Sequence, residues 1–126
     1  MITKFKLFEK ININNGEPNL NDYVITNQHN WENFDPNDPS FDEYQKNYLE
    51  SIKFTDTHIG RIHFIDKQSV NEYIIKYKYV PDHLKGHFNN SCIQITRDEL
   101  KYWSKNKEDL SNENIKIFSN IKKYNI

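Results

Sequence analysis

Between Ile59 and Pro81 the chain reads IGRIHFIDKQSVNEYIIKYKYVP, and within it Tyr73, Ile75, Tyr77 and Tyr79 fall on alternate positions. A period of two puts these four side chains on one face of a strand and Lys76 and Lys78 on the other, an apolar face against a solvated one. Ile62 and Phe64 supply the matching apolar face in the first half. Asp66 starts a turn through Lys67, Gln68 and Ser69 that needs no residue with positive φ, and Pro81 closes the second strand. The stretch predicts a β-hairpin at the centre of a small β domain, with at least three of the four alternating side chains buried.

The flanking elements rest on weaker signals. Ile2 to Phe8 alternates Phe5 and Leu7 with Lys4 and Lys6 and reads as a first strand continuing toward Ile13; Asn14-Asn15-Gly16 turns the chain. Asp22 to Asn27 then supplies a short second strand, with Tyr23 and Ile25, that pairs with the first. From Gln28 to Pro39 periodicity disappears, and Pro36 and Pro39 forbid helix and central strand. Ser40 with Glu43 reads as a capping box opening a helix whose Phe41, Tyr44, Tyr48, Leu49 and Ile52 form one core-facing stripe. Beyond the hairpin come a loop over Asp82 to Asn90 and a strand over Ser91 to Thr96 in which Ile93 and Ile95 share a face. A capping box of Thr96 and Glu99 predicts a short helix, with Leu100 and Trp103 as its apolar edge, ending near Asn106. A last helix runs from Asn112 to Tyr124 on Ile115, Phe118 and Ile121.

With 126 residues the chain is a single domain, long enough to fold without metals or disulfides. Apolar residues are 36% and aromatics 14%, so large rings rather than many aliphatics must fill the core. The 18 Asn and 15 Lys against no Ala form the profile of AT-rich coding, which points to a viral, phage or low-GC bacterial source. A formal net charge of −1 is far from that of a dedicated duplex-DNA binder. The charge is uneven: nine acids oppose Lys46 and Lys53 between Ile11 and Asp56, whereas the hairpin region and the C-terminal stretch are mildly basic. One cysteine, no leader sequence and no apolar run near the ~20 residues that cross a bilayer lead us to expect the reducing cytoplasm of a host cell and no membrane association.

The residues that carry chemistry elsewhere do not assemble in this sequence. His83 and His87 stand four apart with Cys92 nearby, but Gly86 interrupts any helix between them and a strong fourth ligand is missing, so no metal is expected. Cys92 alternates with Ile93 in a strand and reads as a small hydrophobe. Asp35, Asn37, Asp38, Asp42 and Glu43 are rich in oxygen, yet Pro39 stands where a calcium ligand should be. Three glycines in total leave no room for a phosphate-cradling loop. We therefore expect no cofactor and no enzymatic activity. Arg61, Lys76 and Lys78, near Tyr77 and Tyr79, interleave basic and aromatic residues as single-strand binders do, although strand alternation alone also puts lysines outward.

Taken together, LNDYVI, IGRIHFI, YIIKYKYVP and CIQIT resemble the strand order of a small SH3-like barrel. Asn21-Asp22-Tyr23-Val24, Ile59-Gly60-Arg61-Ile62 and the run from Arg97 to Ser104 are also similar to segments that recur in small proteins of phages and other large viruses, which have Gly where Asn21 stands here. The resemblance implies an α+β fold: an antiparallel, SH3-like, partly open β-barrel with a helix inserted after the second strand and one or two C-terminal helices. It brings no activity or catalytic residues, and SH3-like barrels bind peptides, nucleic acids or partner subunits alike. The sequence expectation is a non-enzymatic viral or phage protein that binds another protein, an inhibitor of a host defence system being one form, through Trp31 and Phe34 flanked by Asp35 and Asp38. The alternative is a single-stranded nucleic-acid-binding module using Arg61, Lys76 and Lys78; a small enzyme stands third.

Overall fold

The computed structural model describes residue 11, residues 16–28 and residues 37–123. The expected strand from Ile2 to Phe8 and its turn at Asn14 and Asn15 lie outside the described residues. The fold is α+β. Strands β1 (Tyr23–Thr26), β2 (Gly60–Ile65), β3 (Tyr73–Lys76), β4 (Cys92–Ile95) and β5 (Leu100–Ser104) form a sheet in the order β4-β3-β2-β1-β5, every pair antiparallel. Helix α1 (Glu43–Thr57) is inserted between β1 and β2, and α2 (Asn112–Lys123) ends the described chain. Short 3-10 turns occupy Asp82–His87, Arg97–Glu99 and Lys107–Leu110.

The expected hairpin is β2 and β3. Its connection begins at Asp66, whose carboxylate accepts from the Gln68 N–H at 3.0 Å while its own N–H donates to the Glu72 carbonyl at 2.7 Å. Tyr73, Ile75 and Tyr77 are buried, whereas Tyr79 is 73% exposed, because the chain leaves the sheet after the Tyr77 N–H has met the Ser91 carbonyl. Phe64 departs from the expected face. Ile62 stands opposite Ile75, but Phe64 stands opposite Ile74, so His63 is an extra residue on β2. That β-bulge turns Phe64 outward and gives its inward place to Ile65, opposite Tyr73.

A second bulge corrects the expected helix after Thr96. The Thr96–Glu99 capping box exists, but it closes only one 3-10 turn, and the chain continues as β5. Thr26 pairs with Leu100 and Ile25 with Tyr102, leaving Lys101 extra. Leu100 and Trp103 therefore reach the same core from a strand, while Tyr102 points to the other face. Both faces of β1 are likewise covered: Val24 and Thr26 on one side are buried, and Tyr23 and Ile25 on the other pack with Tyr102 and Phe118.

Helix α1 starts two residues later than the Ser40 box implies. Ser40 is tied to Asp38, and the cap is Asp42, whose carboxylate accepts from the Gln45 N–H at 2.8 Å while the Gln45 side chain accepts from the Asp42 N–H at 3.0 Å. Only the second half of the helix faces the sheet, through Ser51, Ile52 and Thr55 with Phe54 beside them; Tyr44 and Tyr48 are exposed. The expected last helix is α2, with Phe118 buried and its ring edge-on to Tyr102 at 5.7 Å.

The sheet is strongly curled without closing. Strands β4 and β5 sit at opposite edges, yet only Thr96–Glu99 joins them. At about 4.8 Å per strand, a flat sheet would hold its outer strands roughly 19 Å apart, beyond the reach of a link tightened by a 3-10 turn rising about 2 Å per residue. Ile95 of β4 and Leu100 and Trp103 of β5 meet in one cluster with Val24, Ile62 and Tyr73. Where a partly open barrel was expected, no ladder joins β4 to β5 among the described residues.

Two residues show how tightly this core is fitted. A Cβ on Gly60 would stand 2.5 Å from Ile75 Cγ2 and 2.9 Å from the Tyr77 ring, whereas a Cβ on Gly86 would meet nothing within 4 Å. Gly60→Ala is expected to cost about 1–3 kcal/mol by overpacking, and Gly86→Ala to be neutral or to stabilise by up to about 1 kcal/mol; urea denaturation of the pair checks the contrast. Glu17 ties the chain before β1 to the sheet by accepting from the Tyr73 hydroxyl at 2.9 Å and from Arg97 Nε at 2.8 Å. The Tyr73 hydrogen bond, with help from Arg97, holds its carboxyl below the ordinary glutamate value of 4.5. The stabilisation is then present above that value and lost as pH falls through the lower folded one. Glu17→Gln should flatten the acid limb of a stability-against-pH curve below about pH 4.5, and an unchanged slope would show that the clamp contributes nothing.

Candidate functional site

Strand register builds a row of side chains across the outer face of the sheet. Ser104 pairs with Tyr23, Tyr23 with Arg61, Arg61 with Lys76 and Lys76 with Cys92, so all five project from one face. The bulge at His63 adds a second row of Phe64, Ile74 and Gln94. Over β1 and β5 this face is covered by α2, with Ile115 and Phe118 packed on Tyr23, Ile25 and Tyr102. Over β2, β3 and β4 it is open: Arg61, His63, Phe64, Lys76 and Gln94 are exposed.

A hollow of about 500 Å³ lies on this open face. Its lining brings together Arg61, Lys76 and Lys78 with His63, Tyr23 and Lys107, and includes no carboxylate among the described residues. The Arg61 guanidinium lies 4.9 Å from the centre of the Tyr23 ring, and its Nε donates to the Asn21 carbonyl at 2.9 Å. Asn21 itself has φ 71°, a left-handed conformation that Asn tolerates better than most residues. Four lasting cations thus share one concavity, and none of them makes an ion pair among the described residues.

The sequence-expected site residues divide sharply. Arg61, Lys76 and Lys78 line one hollow. Trp31, Phe34 and Asp35 lie outside the described residues. Asp38 serves the turn before α1: its carboxylate accepts from the Ser40 hydroxyl at 2.7 Å and the Ser40 N–H at 2.9 Å, which lower its pKa. Tyr77 is buried, and the ring beside the Arg61 guanidinium is that of Tyr23. Lys107 and Tyr23 were missed because only the folded register brings them to Arg61.

The groups weighed for metal binding are dispersed. His83 Nε2 stands 3.1 Å from Glu50, His87 packs 4.7 Å from Tyr44 and 5.8 Å from Tyr48, and Cys92 lies beside Lys76 on β4 with its thiol pKa raised by burial. Among the described residues, no three His, Cys, Asp or Glu side chains come together as a metal cluster. The buried acids serve the fold: Asp109 accepts from the Ser104 hydroxyl at 2.6 Å and Asp22 from the Asn19 N–H at 2.8 Å. No described helix is long and apolar enough to cross a membrane. No protein-family model, curated protein or solved structure matches the chain.

The open face depends on the bulge, which gives a direct check. Ile62→Ala should cost about 2–5 kcal/mol as a cavity in the core, while Phe64→Ala, two positions away, should stay within about 1 kcal/mol as an exposed change. Comparable losses in chemical denaturation would mean that Phe64 faces inward.

Proposed function

We propose that the protein is a non-enzymatic binding module that holds single-stranded nucleic acid on the open outer face of β2, β3 and β4. The observation that carries this reading is the hollow where Arg61, Lys76, Lys78 and Lys107 meet, bordered by Tyr23 and with no carboxylate among the described residues of its lining. Such a surface attracts a phosphate backbone by its charge and offers rings for bases, with Phe64 exposed on the same face. The strand order and the four-residue link between β4 and β5 favour an SH3-like, partly open barrel, but the proposal stands on the side chains and not on that assignment.

A protein partner remains the second reading, now supported by a different patch from the one the sequence suggested. Tyr44 is 69% and Tyr48 47% exposed on the projecting half of α1, where both pack against His87. Aromatic rings held on a rigid helix are suited to anchoring an interface.

Salt separates the two. Binding of a fluorescent oligothymidylate, followed by anisotropy, should weaken with salt along a log–log slope of about −2 to −3, as about four phosphates displace their counterions. Lys76→Glu with Lys78→Glu should lower affinity at least about tenfold and flatten the slope, with the melting temperature nearly unchanged because both side chains are exposed. An oligonucleotide that fails to bind at low salt, or binds the double variant equally well, overturns the reading.

A further inference from the structure

Beside the cationic hollow lies a second one of about 700 Å³, and the two share Ile59, Lys78 and Lys107. Its character is different. The floor is apolar, built from Ile59, Leu110 and the buried Tyr77, and its lining also holds Tyr79 and the Phe54–His58 pair. The His58 ring stacks on Phe54 with centroids 4.0 Å apart and 22° between planes. His58 Nδ1 lies 2.8 Å from the Phe54 carbonyl, which accepts only, so Nδ1 is the donor in that hydrogen bond. Thr57, Ser111 and Asn112 add polar groups to the lining. Both hollows fall in the range of roughly 300–1,000 Å³ usual for small-ligand sites.

We infer that this second hollow is a base slot, in which an unstacked nucleobase lies against Tyr79 and the His58 ring while its phosphate sits at the shared rim between Lys78 and Lys107. The inference rests on the single-strand reading and deepens it by assigning where a base, as distinct from the backbone, is held. The juxtaposition favours a nucleotide over an apolar peptide side chain. A flat ring joined to an anion matches an apolar cavity that meets a cationic one at two lysines, and the slot lining, like that of its neighbour, has no carboxylate among the described residues. Tyr79 also explains itself in this way. The three alternating positions before it are buried, yet its ring is left 73% exposed at the edge of an apolar hollow.

The test compares an oligothymidylate with an abasic strand of the same length and phosphate count, using anisotropy on the full chain and on Tyr79→Ala and Tyr79→Phe. The abasic strand is expected to bind at least about tenfold more weakly than the oligothymidylate, the usual scale of base stacking on a ring. Tyr79→Ala should weaken the oligothymidylate by a similar factor and leave the abasic strand unchanged, and Tyr79→Phe should retain wild-type binding of both. Equal binding of the two probes, or equal loss of both in Tyr79→Ala, overturns the slot while the backbone reading stands. Binding of neither probe by the wild-type chain overturns both. Melting temperatures of the variants confirm that the exposed ring was removed without unfolding.

Discussion

The Tyr77 ring packs onto the backbone of Gly60 so closely that no Cβ fits there: one would stand 2.9 Å from the ring and 2.5 Å from Ile75. This contact sets β3 against β2 and makes Tyr77 the hub of the core. Phe54 of α1 meets it tilted at 5.7 Å, Phe88 meets it edge-on at 6.0 Å, and Phe54 and Phe88 are themselves edge-on at 6.1 Å. Helix, sheet and the segment after the 82–87 turn are thus fixed through three rings in arrangements that their quadrupoles favour. A chain with few aliphatics needs such rings. The buried phenol approaches the Thr55 carbonyl at 3.5 Å, and burial raises its pKa, so it stays neutral. With Tyr77 committed inward, Lys78 and Tyr79 leave the sheet exposed, and the proposed site begins at that exit.

The two bulges decide what could be read from sequence. A plain period of two holds in β3, and there Tyr73, Ile75 and Tyr77 were legible as a buried face. At β2 and β5 an extra residue, His63 in one and Lys101 in the other, moves inward positions from a spacing of two to a spacing of three: Ile62 with Ile65, Leu100 with Trp103. A spacing of three after a capping box is also how a helix begins, so the sequence around Thr96 favoured a helix that the structure replaces with a strand. The cap was read correctly, but a cap closes one turn and does not oblige the next residues to remain helical. In α1 the stripe was extended too far toward the N-terminus. Periodicity shows which side chains share a face, and it cannot show that the sheet ends before Tyr44 and Tyr48.

The site was legible to the extent that it is local. Arg61, Lys76 and Lys78 lie in one hairpin, and cross-strand pairing of Arg61 with Lys76 is a consequence of forming that hairpin. Tyr23 joins them through the pairing of β1 with β2, across the whole of α1, and Lys107 through a turn that comes after the strand read as a helix. The aromatic partner was misassigned within a single tripeptide. Of Tyr77 and Tyr79, alternation makes both inward, while the Gly60 contact holds only the first.

Net charge is a poor guide to what a ligand meets in these hollows. The chain is formally −1, yet acids among the described residues are placed elsewhere: Glu17 on Arg97, Glu50 beside His83, Asp82 on Lys85, Glu72 on Lys67, and Asp56 against Thr26. None of these carboxylates lines either hollow. At physiological salt, exposed charges beyond about 8 Å are largely screened, so under the proposed reading a strand would respond to Arg61, Lys76, Lys78 and Lys107 and only weakly to the acidic remainder. Four cations supply little long-range attraction compared with a strongly basic duplex binder. The proposed reading therefore requires the larger share of affinity to come from rings in contact with bases. A duplex keeps its bases stacked and paired, away from Tyr79 and His58, so the proposed division of labour would favour single strands over double ones.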